Sequence, residues 1–151
     1  MPALLDSISK PLEFFRCISA PAPQYMPFFK MGVSAGFPSP AADYIQNRLD
    51  VYDHLVQHPA ATFFVRVKGN SMEDANLFNG DLLVVDKSLE ASHKSIVVAV
   101  INGEFTVKRF LKTSQGIMLK AENASYSPIH INADMDFEIW GVVTHIIHQA
   151  K

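Results

Sequence analysis

Apolar positions change their spacing along this chain, and the change divides it. From residue 62 onward they come in short β-branched and aromatic runs. "TFFVRVKG", "DLLVVD", "GIMLKA" and "FEIWGVVTHIIH" read as strands bounded by turn residues. "SIVVAVINGEFTVKRFL" is two such runs around Asn102-Gly103, a strong two-residue hairpin signal. Residues 41–58 have helical spacing instead, in Tyr44, Ile45 and Leu49 and then Val51 and Leu55. Asp50 suits the N-cap of a short second helix, and Pro59 stops it. Residues 1–40 show neither period. They hold seven of the nine prolines, at 2, 11, 21, 23, 27, 38 and 40, a density that forbids long helices and removes ladder donors. The pattern predicts a mainly β domain of six or seven strands over 41–151, with small helices at its start. An extended N-terminal arm over 1–40 precedes it.

The arm is not a polar linker. Phe14, Phe15, Tyr25, Met26, Phe28 and Phe29 would be costly to leave in water, at ~25 cal/mol per Å² of apolar area. Such an arm lies on its own domain or on a partner. Its end, "MGVSAGFPSP", sets an Ala35-Gly36 pair between the apolar Val33 and Phe37 and follows it with two prolines.

Composition narrows the function classes. A chain of 151 residues, 48% apolar and 19% charged, fits one globular domain. A formal net charge of −2 argues against a protein whose main task is gripping nucleic acid, so no direct nucleic-acid binding is expected. The single cysteine, Cys17, cannot build a disulfide framework and reads as a small hydrophobe. No apolar run reaches the ~18 residues needed to span a bilayer. The N-terminus has no early basic cluster, so a cytoplasmic protein without a membrane partner is expected.

Gly69-Asn70-Ser71-Met72 comes directly after the strand "FFVRVK". A glycine there lets the backbone turn sharply and leaves Ser71 at a strand tip. Such a serine suits a nucleophile, and its backbone N–H, with that of Met72, suits an oxyanion hole. A solvated turn serine fits the same pattern. None of His54, His58, His93, His130, His145 and His148 lies in a triad motif or in a zinc spacing, so no metal or other cofactor is expected. Alternation puts His145 and His148 on opposite faces of the last strand. Lys108 is the other candidate base. It shares a strand face with Thr106 and Phe110, opposite Phe105, Val107 and Arg109. A lysine there either extends its ammonium to water or stays buried with a lowered pKa, able to accept a serine proton.

"GNSM", then "NGDLLVVDKSLEASHKSIVVAVINGEFTVKR" with Lys108 37 positions after Ser71, resembles the LexA/UmuD self-processing serine peptidases. "AGFPSPAADY", "HPAATFFVRVKGNSM" and "GVVTHII" extend the resemblance from Ala35 to about Ile146, closest to UmuD-type members. It implies a LexA/signal-peptidase-like catalytic domain of several twisted antiparallel sheets. It also implies a dyad of Ser71 as nucleophile and Lys108 as general base, with Ala35-Gly36 as the scissile bond in the protein's own arm. Cleavage would be stimulated by the RecA filament on single-stranded DNA. The processed form would then join a UmuC-like, Y-family polymerase subunit for error-prone translesion synthesis in the SOS response.

Three alternatives share parts of the pattern. A LexA-like or phage-type regulator would need a helix-turn-helix ahead of the cleavage site, which some 35 proline-broken residues do not supply. A signal peptidase would need a membrane anchor and a proline where Asp74 stands. A polymerase accessory subunit that never cuts would not need Ser71, Lys108 and Ala35-Gly36. The last strand is apolar on both faces: Phe137, Ile139, Val143 and Ile147 against Trp140, Val142 and Ile146. One face is core, and the other meets either a second layer of the same chain or a second subunit. The resemblance favours a homodimer.

Overall fold

The computed structural model describes residues 12–16, 25–29, 36 and 46–150, apart from the side chains of 25–29 and 46–48. Ten strands run through these residues: β1 (Leu12–Arg16), β2 (Tyr25–Phe29), β3 (Gln46–Asp50), β4 (Thr62–Val67), β5 (Leu82–Asp86), β6 (Ile96–Ile101), β7 (Glu104–Thr113), β8 (Gly116–Lys120), β9 (Ile129–His130) and β10 (Phe137–Ile147). Helix α1 (Val51–Leu55) and two 3-10 turns, Pro59–Ala61 and Glu73–Ala75, complete the described elements. Eight strands form one sheet in the order β1-β4-β5-β10-β6-β7-β8-β9, every neighbouring pair antiparallel. β2 and β3 form a separate antiparallel ribbon. No helix among the described residues is long and apolar enough to cross a membrane.

The hairpin expected at Asn102-Gly103 joins β6 to β7. Both residues have positive φ, 50° and 82°, as a type I′ turn requires. Asp50 caps α1 as expected, its side chain accepting from the Asp53 N–H at 3.2 Å. The helix expected ahead of it is not there: Gln46–Asp50 is β3, paired with Tyr25–Phe29 of the proline-rich arm. A pairing partner some twenty residues upstream overrides the local spacing of Leu49 with Tyr44 and Ile45, and the last two lie outside the described residues. The strand count exceeds the expected six or seven because of β1, β2 and β3, and because of the two-residue β9.

The sheet buries apolar side chains on both faces. Leu12, Val65, Val67, Met72, Leu77, Leu83, Val85, Val98 and Val107 form one cluster. Val97, Ala99, Phe110, Leu119 and Val142 form the other. β10 is central, between β5 and β6, and strict alternation fails along it. Its register shifts between Ile139 and Gly141 against β6, and between Val143 and His145 against β5. Each irregularity slips the pleat. Trp140, Val143 and Ile146 therefore pack on the first cluster, and Phe137, Ile139 and Val142 belong to the second. Both apolar faces of the last strand thus pack within one chain, except for the exposed Ile147 at its end. The dimer expectation loses that support and rests on the resemblance alone.

β1 shows where this part of the arm lies. It pairs with β4, burying Leu12 and packing Phe14 on Phe105 and Trp140 at centroid distances of 4.7 and 5.0 Å.

Candidate active site

β4 ends at Val67, and Gly69 turns the chain with a φ of 103°, a region that L side chains rarely adopt. The Gly69 N–H donates to Asn79 Oδ1 at 2.9 Å, which holds the turn. Met72, 2% exposed, anchors the next stretch of chain. Its carbonyl accepts from the N–H groups of Ala75 and Leu77 at 3.0 and 3.3 Å. Ser71 is left between the turn and this anchor, half-buried. It lines a cleft of about 80 Å³ with Leu12, Val67, Leu77 and Thr106. No described residue accepts the backbone N–H of Ser71 or Met72.

Lys108 comes from β7. It is only 8% exposed, and burial pushes its pKa below the ordinary lysine value. Of the two readings open in the sequence, the buried one holds. The Nζ atom lies 3.1 Å from Ser71 Oγ, 2.9 Å from Thr106 Oγ1 and 3.1 Å from the Val107 carbonyl oxygen. All three partners are neutral, so no anion offsets the desolvation of the ammonium. A buried amine with a depressed pKa beside a serine hydroxyl can remove that hydroxyl's proton.

Period two along β7 places Thr106 beside Lys108, but the sequence gives no signal for the loop residues that hold the serine turn against them. Thr106, two positions before Lys108 on the same face, is the amine's second side-chain contact. The segment after β8 clasps the serine turn. Asn123 Nδ2 donates to the Asn70 carbonyl at 2.8 Å, and the Tyr126 hydroxyl donates to Asn70 Oδ1 at 2.7 Å. The Glu122 carbonyl accepts from Asp74 N at 2.8 Å, while its carboxylate accepts from Arg109 Nε at 2.9 Å. Glu122 thus links the Ser71 loop to the strand of Lys108. Only pairing between segments fifty residues apart could reveal this.

Gly36 is an exposed bend, with nothing within 4 Å of where a Cβ would stand. Ala35, Val33, Phe37 and Cys17 lie outside the described residues. The histidines stay apart from Ser71. His58 and His148 pair instead with the buried Asp86 and Asp81, each at 2.6 Å. His148 lies beyond the end of β10, and His145 is half-buried. Among the described residues, no three His, Cys, Asp or Glu side chains could hold a metal ion together.

The Peptidase S24-like family matches residues 27–144. The chain is similar to Protein MucA of Salmonella typhimurium, 46% identical over 135 residues, covering 89% of this chain and 92% of that protein. It is similar to Protein ImpA of Salmonella typhimurium, 45% identical over 126 residues, covering 83% of this chain and 85% of that one. The LexA repressor of Psychromonas ingrahamii is 39% identical over 119 residues, or 78% of this chain and 56% of the repressor.

Proposed function

The chain belongs to the Peptidase S24-like family, as a MucA-like protein of UmuD type, and from that premise we propose that it cleaves itself between Ala35 and Gly36 through a Ser71–Lys108 dyad. The observation that carries this reading is the 3.1 Å contact between a buried, pKa-lowered amine and a serine hydroxyl on a cleft. Neutral Lys108 takes the Ser71 proton, and Oγ attacks the Ala35 carbonyl carbon. The backbone N–H groups of Ser71 and Met72 receive the oxyanion. The Lys108 ammonium then gives its proton to the departing Gly36 amine, which leaves residues 1–35 as an ester on Ser71. Water, deprotonated by Lys108, hydrolyses the ester and frees the serine. The arm over 1–40 is substrate, and the domain over 41–151 is peptidase and dimerisation unit.

In the cell this is self-cleavage in the SOS response. The RecA filament on single-stranded DNA favours the arm pose that brings the bond to Ser71, a population shift and not new chemistry. The processed form is a homodimeric, cytoplasmic accessory subunit of a Y-family polymerase in translesion synthesis. The higher identity with MucA, 46% against 39% with the LexA repressor, supports the UmuD-type reading over the regulator.

The test is incubation of purified protein at alkaline pH, followed by mass spectrometry. A single cut between Ala35 and Gly36, absent in Ser71→Ala, is expected. The same cut persisting in Ser71→Ala would sink the dyad. Co-purification of the processed form with a Y-family subunit tests the second half of the proposal.

A further inference from the structure

β1 belongs to the segment that cleavage after Ala35 would release, so any role for its vacated seat rests on the proposed function. In the intact chain β1 is an edge strand on β4, in antiparallel register from Leu12↔Val67 to Arg16↔Phe63. Three consecutive side chains define its seat. Leu12 is 5% exposed and lines the cleft beside Ser71 with Val67, Met72 and Val107. Phe14, two positions on and on the same face, stacks against Phe105 and Trp140. Between them, Glu13 faces outward to Arg66 at 3.7 Å and Lys68 at 3.6 Å.

Removing β1 uncovers three things at once: the outer backbone edge of Phe63–Val67, an apolar trough ending on Trp140, and two cations with no anion between them. An apolar strand edge of this kind is a template for another strand. While the arm is tethered, β1 occupies the edge at an effective concentration on the order of mM. Cutting the tether removes that advantage, and among the described residues the released segment is then held by two five-residue strands, β1 on β4 and β2 on β3.

We propose that the β4 edge vacated by β1 is a docking site on the processed protein for an extended segment of a partner protein. That segment runs antiparallel to β4 and carries an apolar, an acidic and an aromatic residue at three successive positions. Main-chain hydrogen bonds supply affinity, and alternate side chains supply selectivity. Charge complementarity determines the chemistry of the occupant. Arg66 and Lys68 flank the middle position, where they attract a carboxylate and repel a basic residue.

The test uses the full chain carrying Ser71→Ala, so that no cleavage occurs. Leu12→Asp with Phe14→Asp is added to unseat β1. The probe is a capped synthetic peptide of residues 11–16. Trp140 is the single tryptophan and touches the Phe14 ring, so its fluorescence reports occupancy. The unseated chain should bind the peptide at least about tenfold more tightly than the Ser71→Ala parent. A peptide with lysine in place of the glutamate should lose that binding, and Arg66→Glu with Lys68→Glu should restore it. Glu13→Lys, a surface change, serves as a second unseating variant if the double substitution fails to fold. Equal binding to the parent, no binding to a folded unseated chain, or indifference to the acidic position would each overturn the proposal. So would self-association of the unseated chain that the peptide does not reverse, because a second copy would then be the occupant. Self-cleavage is measured separately on the Ser71 chain, so its failure leaves the docking result readable.

Discussion

The Lys108 amine is oriented toward Ser71 by its other contacts. The Val107 carbonyl, 3.1 Å from Nζ, can only accept, so it fixes one N–H. Thr106 Oγ1, at 2.9 Å, takes a second. The remaining tetrahedral direction of the nitrogen faces Ser71 Oγ. In the ammonium that direction is an N–H, and in the neutral amine it is a lone pair that can accept the serine proton.

Self-cleavage should therefore rise with pH and level off below the ordinary lysine value of about 10.4, because burial lowers the Lys108 pKa. Lys108→Arg keeps a cation that does not deprotonate. It should reduce the rate by at least about 10²-fold at every pH, the scale of a lost general base. Rate constants from mass spectrometry across a pH series check both outcomes.

The same burial costs stability. The unfolded chain binds a proton at Lys108 more readily than the folded one does, so stability rises with pH across the interval between the two pKa values. The penalty is complete below the folded pKa and fades as pH approaches the unfolded value. Lys108→Met should raise the melting temperature near neutral pH, and the gain should shrink in alkaline buffer. Thermal melts of both proteins at pH 7 and pH 10 measure this.

Thr106→Val keeps the shape and removes the acceptor. The amine then loses one of the two contacts that aim it, and cleavage should slow by about tenfold to 10²-fold. Thr106→Ser should recover most of the rate. An unchanged rate in a folded Thr106→Val would deny Thr106 a positioning role.

Much of the fold and part of the site were legible in the sequence, for local reasons. Asn102-Gly103 marks its hairpin because the turn demands positive φ at both positions. Gly69-Asn70-Ser71 marks its turn for a similar reason, and period two puts Thr106 with Lys108. What was not legible depends on distant segments. Gln46–Asp50 is a strand because Tyr25–Phe29 lies beside it, although its own apolar spacing favours a helix. The faces of β10 depart from period two because its neighbours impose two register shifts. Burial of Lys108 is likewise a property of what packs around β7.

Asp86 supplies an acid-sensitive anchor for the chain ahead of β4. It is 3% exposed, and burial alone would raise its pKa. Hydrogen bonds from Ser88 and His58 outweigh burial and leave the carboxyl below its usual value. A depressed folded pKa contributes stability above the unfolded value of about 3.9, and that stability is lost as pH falls through the folded one. Asp86→Asn should cost about 1.5–3 kcal/mol at neutral pH, the range for hydrogen bonds to a charged group. The difference between the two proteins should narrow below about pH 4. Urea denaturation at several pH values checks the trend.

Gly141 shows how tightly the centre of the sheet is built. It lies where β10 shifts register against β6, opposite Val98. A Cβ at this position would stand 2.6 Å from Val85 Cγ1 and 3.4 Å from the Asp86 carbonyl oxygen. Val85 is fully buried in β5, and a β-branched side chain has few rotamers to retreat into. Gly141→Ala must therefore move β5 or β10, at about 1–3 kcal/mol for an overpacked core. Val85→Ala alone removes two methyl groups from the same cluster and should also destabilise. Combined, each change relieves the other, since the added methyl enters the space that Val85 vacates. The double variant should lose less than the two single losses added together, by about 0.5–3 kcal/mol. Chemical denaturation of the four proteins measures that coupling, and strict additivity would mean that the Gly141 position does not press on Val85.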